Sequence, residues 1–157
     1  MRRATAVLGA LALVLATASV FAQAKPSFAG KWVIVPPADA AAGGGRGGGG
    51  RGGFGQEMTI EQTDKTLTIT RTMRGEAMPT VYNIGGDTKV MMGGRGGQTE
   101  TVVKTAWVGS DLVMTSTMAN GERKQVLSIK DGNLLVTTTQ PGREGGPQTT
   151  TATYKKG

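Results

Sequence analysis

DLVMTSTMANGERKQVLSIKDGNLLVTTTQ, residues 111–140, carries three strand patterns and two turn signals in one run. Leu112 and Met114 alternate with Val113 and Thr115, Leu127 and Ile129 flank Ser128, and Leu134 and Val136 alternate with Leu135 and Thr137. Alternation with a period of two puts one set of side chains on one face of a strand, which a helix cannot do. Asn120-Gly121 and Asp131-Gly132 separate the three patterns, and these dipeptides accept the positive φ that two-residue hairpins demand. The run therefore reads as strand, tight turn, strand, tight turn, strand.

The pattern extends in both directions. Met58 and Ile60 alternate with Thr59 and Glu61, Leu67 and Ile69 sit among Thr66, Thr68 and Thr70, and Thr149 to Tyr154 alternates threonine with Ala152 and Tyr154. Turn signals recur at Thr63-Asp64, Gly85-Gly86-Asp87 and Gly109-Ser110. About eight or nine strands are expected: near 30–35, 56–62, 65–73, 79–84, 88–92, 99–108, 111–118, 122–130 together with 133–140, and 148–155. Residues 25–157 hold 20 threonines, a β-branched type suited to a pleated, half-wet surface, and no amphipathic helix is visible there. The expected fold is all-β, an antiparallel up-and-down meander that closes or nearly closes into a barrel. Closure removes the two edges that an open sheet or sandwich would leave exposed.

The first 24 residues read as a signal peptide. Arg2 and Arg3 supply the positive start, Ala4 to Val20 is an almost unbroken Ala/Leu/Val stretch, and Ala22-Gln23-Ala24 offers the small residues of a cleavage site. The stretch approaches the roughly 20 residues that span a bilayer, but its alanine content and the tripeptide favour removal. The expected product is a single domain of residues 25–157 in the periplasm or secreted, with no membrane span left. Its charge is +5, because removing Arg2 and Arg3 takes Lys plus Arg from 18 to 16 against 11 acids. With no Cys, no disulfide staples the fold, and burial alone must hold it together.

Three Gly/Arg-rich segments interrupt the strands: Gly43 to Gly55, Gly93 to Gly97 and Pro141 to Pro147. They read as flexible loops, the first of them spanning 43–55. Arg46, Arg51, Arg95 and Arg143 could also meet an anionic polymer of the cell envelope. Export and the single aromatic among them, Phe54, argue against nucleic acid.

Chemistry-bearing residues are few. The chain has no His and no Cys, and its 11 carboxylates are scattered, several in turns where Asp serves backbone geometry. No catalytic residue, cofactor site or metal site is expected, and the domain is read as a non-enzyme.

Phe28-Ala29-Gly30-Lys31-Trp32 places a Gly-x-Trp at the start of the first strand. This resembles the opening of the lipocalins and of small exported bacterial β-barrel proteins of uncharacterised function, which also run through hairpins like Trp107-Val108-Gly109-Ser110-Asp111-Leu112. The resemblance implies an eight-stranded barrel plugged at one end by Trp32, with Lys155 or Lys156 packed across the indole. The lipocalin arginine at that place, the helix after it and a mid-chain Thr-Asp-Tyr element are absent. The resemblance also suggests a small apolar ligand inside, with Trp32, Met58, Met73, Met114 and Met118 as the candidate ligand-binding residues. Methionine adapts to irregular apolar shapes, but it equally fills a packed core. The alternative is a structural or surface-interaction domain of the envelope with a packed core and no ligand.

Overall fold

A computed structural model describes residues 25–36, 53–73, 75–94, 97–119, 121–142 and 146–157, without the side chains of Met73, Gly93 and Gly94. The strands are β1 (Gly30–Ile34), β2 (Glu57–Gln62), β3 (Thr66–Met73), β4 (Glu76–Asn83) and β5 (Gly86–Gly94). They continue with β6 (Gly97–Val108), β7 (Asp111–Met118), β8 (Gly121–Lys130), β9 (Asn133–Pro141) and β10 (Pro147–Lys156). The ten exceed the eight or nine expected because residues 122–130 and 133–140 form two full strands, β8 and β9, around a shared turn. Asp131 at φ 52° and Gly132 at φ 76° give that turn the two positive values of a type I′ hairpin.

All ten strands belong to one antiparallel sheet in the order β4-β3-β2-β1-β10-β9-β8-β7-β6-β5. β1 pairs with both β2 and β10, so the first and last strands meet, with Trp32 opposite Met58 on one side and Lys156 on the other. The sheet curls into a nearly closed barrel whose two edge strands are β4 and β5. They are consecutive in sequence but share no ladder among the described residues. Their turn is tied to its neighbours, the Ile84 N–H donating to the Lys65 carbonyl of the β2–β3 turn at 2.7 Å and the Gly85 N–H to the Thr105 carbonyl of β6 at 2.6 Å. Asn83 spends its N–H on the Thr88 hydroxyl at 2.8 Å, and Pro79 has no N–H to give. Both features suit an edge strand.

Up-and-down order sends alternate connections to opposite ends. The short turns 63–65, 84–85, 109–110 and 131–132 share one end with the start of β1 and the finish of β10. That end is closed by aromatics. Trp32 is 1% exposed, its Nε1–H donates to the Phe28 carbonyl at 2.7 Å, and Phe28 stacks on Trp107 with ring centroids 5.6 Å apart. The Lys156 ammonium lies 5.8 Å from the centre of the Trp32 ring, which is the packing the Gly-x-Trp resemblance implied. The three Gly/Arg-rich segments all join strand ends at the opposite end. Arg46, Arg51, Arg95 and Arg143 lie outside the described residues, and so does most of the 43–55 loop.

Interior polarity changes along the barrel axis. Near the aromatic end the inward layer is Leu67, Leu112, Leu127, Leu134 and Tyr154, all fully buried. One or two steps toward the loop end, the same inward phase carries Thr101, Ser116, Gln125 and Thr138, which are buried as well. Buried polar side chains need partners. The Gln125 amide donates to the Thr138 hydroxyl at 3.3 Å, and the Ser116 hydroxyl approaches the Arg123 carbonyl at 3.5 Å. Apart from Thr105, which is 1% exposed near the closed end, the core is thus apolar at its floor and polar toward its mouth.

Candidate functional site

Strand phase puts two arginines into that mouth. On β3, Arg71 follows Leu67 and Ile69 in the inward phase, and on β8, Arg123 precedes Gln125 and Leu127 in theirs. Both line a cleft of about 650 Å³ that opens where β4 and β5 splay apart. On β4, Tyr82 is buried, whereas Met78, in the same phase, is 44% exposed, which places the opening toward the loop end. Phe54, Val90, Met91, Met92 and Met118 supply most of the remaining apolar wall. Lys89 also lines the cleft, but its ammonium is paired with Glu100 at 2.9 Å.

The Gly53–Gly55 stretch is held against β10, which departs from the flexible reading of the end of the 43–55 loop. The Phe54 N–H donates to the Tyr154 hydroxyl at 2.9 Å, and that hydroxyl donates to the Gly55 carbonyl at 2.9 Å. Gly53 packs so closely on Tyr154 that a Cβ there would overlap the hydroxyl, and Gly55 sits at φ 108°. These contacts carry Phe54 into the barrel, where it forms one wall of the cleft.

The electrostatics follow from burial without acidic partners. Burial holds the Arg123 guanidinium below its usual range; the nearby Tyr82 raises it and Arg71 lowers it further. Burial likewise pushes the Tyr82 phenol above 10.0, against the pull of Arg71 and Arg123 and of a hydrogen bond with Thr80. Tyr154 is raised by burial too, against its bonds with Phe54 and Gly55. A group whose folded pKa lies above its unfolded value contributes stability that is complete below the unfolded pKa and is lost as pH rises through the folded one. Melting temperature is therefore expected to hold up to about pH 10 and fall beyond it. Tyr154→Phe should flatten the alkaline decline. A wild-type melting temperature that rises between about pH 10 and 11 would contradict this assignment.

The ligand-binding residues named from sequence divide. Met118 lines the cleft. Trp32, Met58 and Met114 are buried in the core cluster and are not among the cleft residues, and the side chain of Met73 is not described. Sequence reasoning passed over Arg71, Arg123 and Tyr82. The usable signal was an arginine standing in the inward phase of an otherwise apolar strand pattern.

No protein-family model matches the chain, and no curated protein matches its sequence. Solved structures do match in fold. The chain is similar to a mutant of the fatty acid transporter designated REP1-NXSQ, at 13% identity and a TM-score of 0.61 over 82% of this chain and 97% of that one. It is similar to the zebrafish ileal bile acid-binding protein complexed with cholic acid, at 21% identity and a TM-score of 0.57 over 83% and 98%. It is also similar to the wild-type fluorescent protein UnaG, at 18% identity and a TM-score of 0.58 over 83% and 97%. These neighbours are β-barrels of the fatty-acid-binding-protein type, and the shared feature is the barrel fold.

Proposed function

We propose that this chain is an exported, non-enzymatic binding protein that holds a small, largely apolar molecule inside its barrel, with entry at the seam between β4 and β5. The observation that carries the reading is the cleft itself. Its volume of about 650 Å³ lies in the usual range for ligand sites, roughly 300–1,000 Å³, and one long wall is apolar. Four methionines, Met78, Met91, Met92 and Met118, give that wall side chains that re-pack around irregular shapes. Two neighbours in fold are a fatty acid transporter and a bile acid-binding protein, which supports binding over catalysis. The export half rests on Arg2, Arg3, the apolar run and Ala22-Gln23-Ala24.

Native mass spectrometry of the protein purified from its own cells tests both halves together. The expected species begins at Lys25 and carries one small molecule that is lost on denaturation. A chain that still begins at Met1 would remove the export half. A protein that arrives empty and leaves the fluorescence of the neutral dye Nile red unchanged would remove the binding half.

A further inference from the structure

The cleft brings two guanidinium groups together. Arg71 and Arg123 reach in from β3 and β8, and both interact electrostatically with the phenol of Tyr82 on β4. No Asp or Glu is among the described residues that line the cleft. The Nε of Arg123 is buried and has no hydrogen-bond partner, although a buried guanidinium nitrogen normally finds one. A desolvated guanidinium with a second cation beside it is costly, and an anion placed between the two relieves both the lost solvation of Arg123 and the repulsion. Purely structural reasons for an arginine at Arg123 are weak. Its strand neighbours in the inward phase are Gln125 and Leu127, and among the described residues no acid is paired with it.

Resting on the binding reading above, we propose that the ligand is an amphiphile with an oxyanion headgroup, a carboxylate in the simplest case, held between Arg71 and Arg123 with the Tyr82 hydroxyl as a further donor. The guanidinium fork suits this chemistry, because it can give two parallel hydrogen bonds to one carboxylate. Gln125 lines the same cleft, and Ser116 stands opposite Arg123 in the β7–β8 register, so the surroundings of the headgroup are polar. The methionines of the seam lie at the cleft's outer wall, beside the apolar chain. The two ends of such a ligand therefore meet two chemically different parts of one cleft.

The test uses cis-parinaric acid and its methyl ester, which share one fluorescent chain and differ in charge. Wild-type protein is expected to bind the acid about 10- to 100-fold more tightly than the ester, the usual range for hydrogen bonds to a charged group. In the Arg71→Gln/Arg123→Gln double variant the acid should fall to the affinity of the ester, while the ester still binds. Equal affinity of wild type for acid and ester overturns the headgroup inference and leaves an apolar cleft standing. Binding of neither probe overturns the binding reading and this inference with it. The acid-to-ester ratio of the wild type needs no variant, so it decides the question even if the double variant fails to fold. Arg123→Lys, which keeps the charge but not the fork, should retain part of the preference.

Discussion

Trp32→Ala is expected to destabilise the domain by about 3–5 kcal/mol, the usual cost of truncating a core aromatic. Trp32 is 1% exposed and stands at the floor of the barrel between Met58 on β2 and Lys156 on β10. Its removal opens a cavity at the place where first and last strands join. It also leaves the Phe28 carbonyl without the indole N–H at 2.7 Å, an acceptor that sits in a buried environment. A domain of this size typically has about 5–15 kcal/mol of stability, so the variant should be largely unfolded in mild denaturant. Trp32→Phe separates the two contributions: it keeps most of the packing and loses only the hydrogen bond, and about 1–3 kcal/mol is expected. Lys156→Met should cost less, about 0.5–1 kcal/mol, because its ammonium meets the ring at the exposed rim. Chemical denaturation followed by far-UV circular dichroism gives all three. A Trp32→Ala midpoint within error of wild type would mean that this end of the barrel is not closed by the indole.

The elements legible in the sequence were those set by local rules. Alternation with period two located β2, β3, β7, β8 and β9 to within one or two residues, because one face of each strand is buried and the phase cannot slip without exposing it. Asp131-Gly132 marked its hairpin because few other residues take positive φ in succession. Strand ends were less legible where the ladder continues past the apolar pattern, as at Glu76 to Met78 in β4 and Gly93-Gly94 in β5. Glu76, Ala77 and Met78 flank the seam and are all exposed, so that part of the wall shows no alternation. Backbone pairing with β3 and β6 defines the two strand ends instead.

The site was harder to read for a related reason. A methionine count identifies flexible apolar side chains but not which layer of the barrel each occupies. Met58 and Met114 fall in the packed core, and Met118 falls in the open mouth. Phase alone would have aimed Arg71 and Arg123 inward. Only the register of neighbouring strands shows their company, Arg71 opposite the buried Met58 and Arg123 opposite Ser116, each beyond the leucine of its own strand. Arginine in the Gly-rich segments drew attention by composition, whereas the arginines that enter the barrel stand singly among Thr, Met and Gln.

Phe54→Ala is expected to lower stability by about 3 kcal/mol, the lower end for losing a buried phenylalanine, because the new space opens into the cleft and can admit water. Phe54 is 6% exposed, yet it belongs to no strand and is held by the hydroxyl of Tyr154 from β10. Tyr154→Phe removes that hydroxyl and strands the Phe54 N–H in a buried place, which should cost about 1–3 kcal/mol. If the Tyr154 hydroxyl acts by keeping Phe54 seated, the two substitutions share one interaction, and the double variant should fall short of the sum. A coupling of about 0.5–3 kcal/mol is expected for groups in direct contact. The same variants bear on binding. Phe54→Ala widens one wall of the cleft and should admit bulkier apolar probes, while Tyr154→Phe leaves the wall's composition intact and should alter affinity mainly by loosening it. Additive effects on stability, with unchanged probe selectivity in Phe54→Ala, would show that Phe54 merely rests against the barrel and does not shape its mouth.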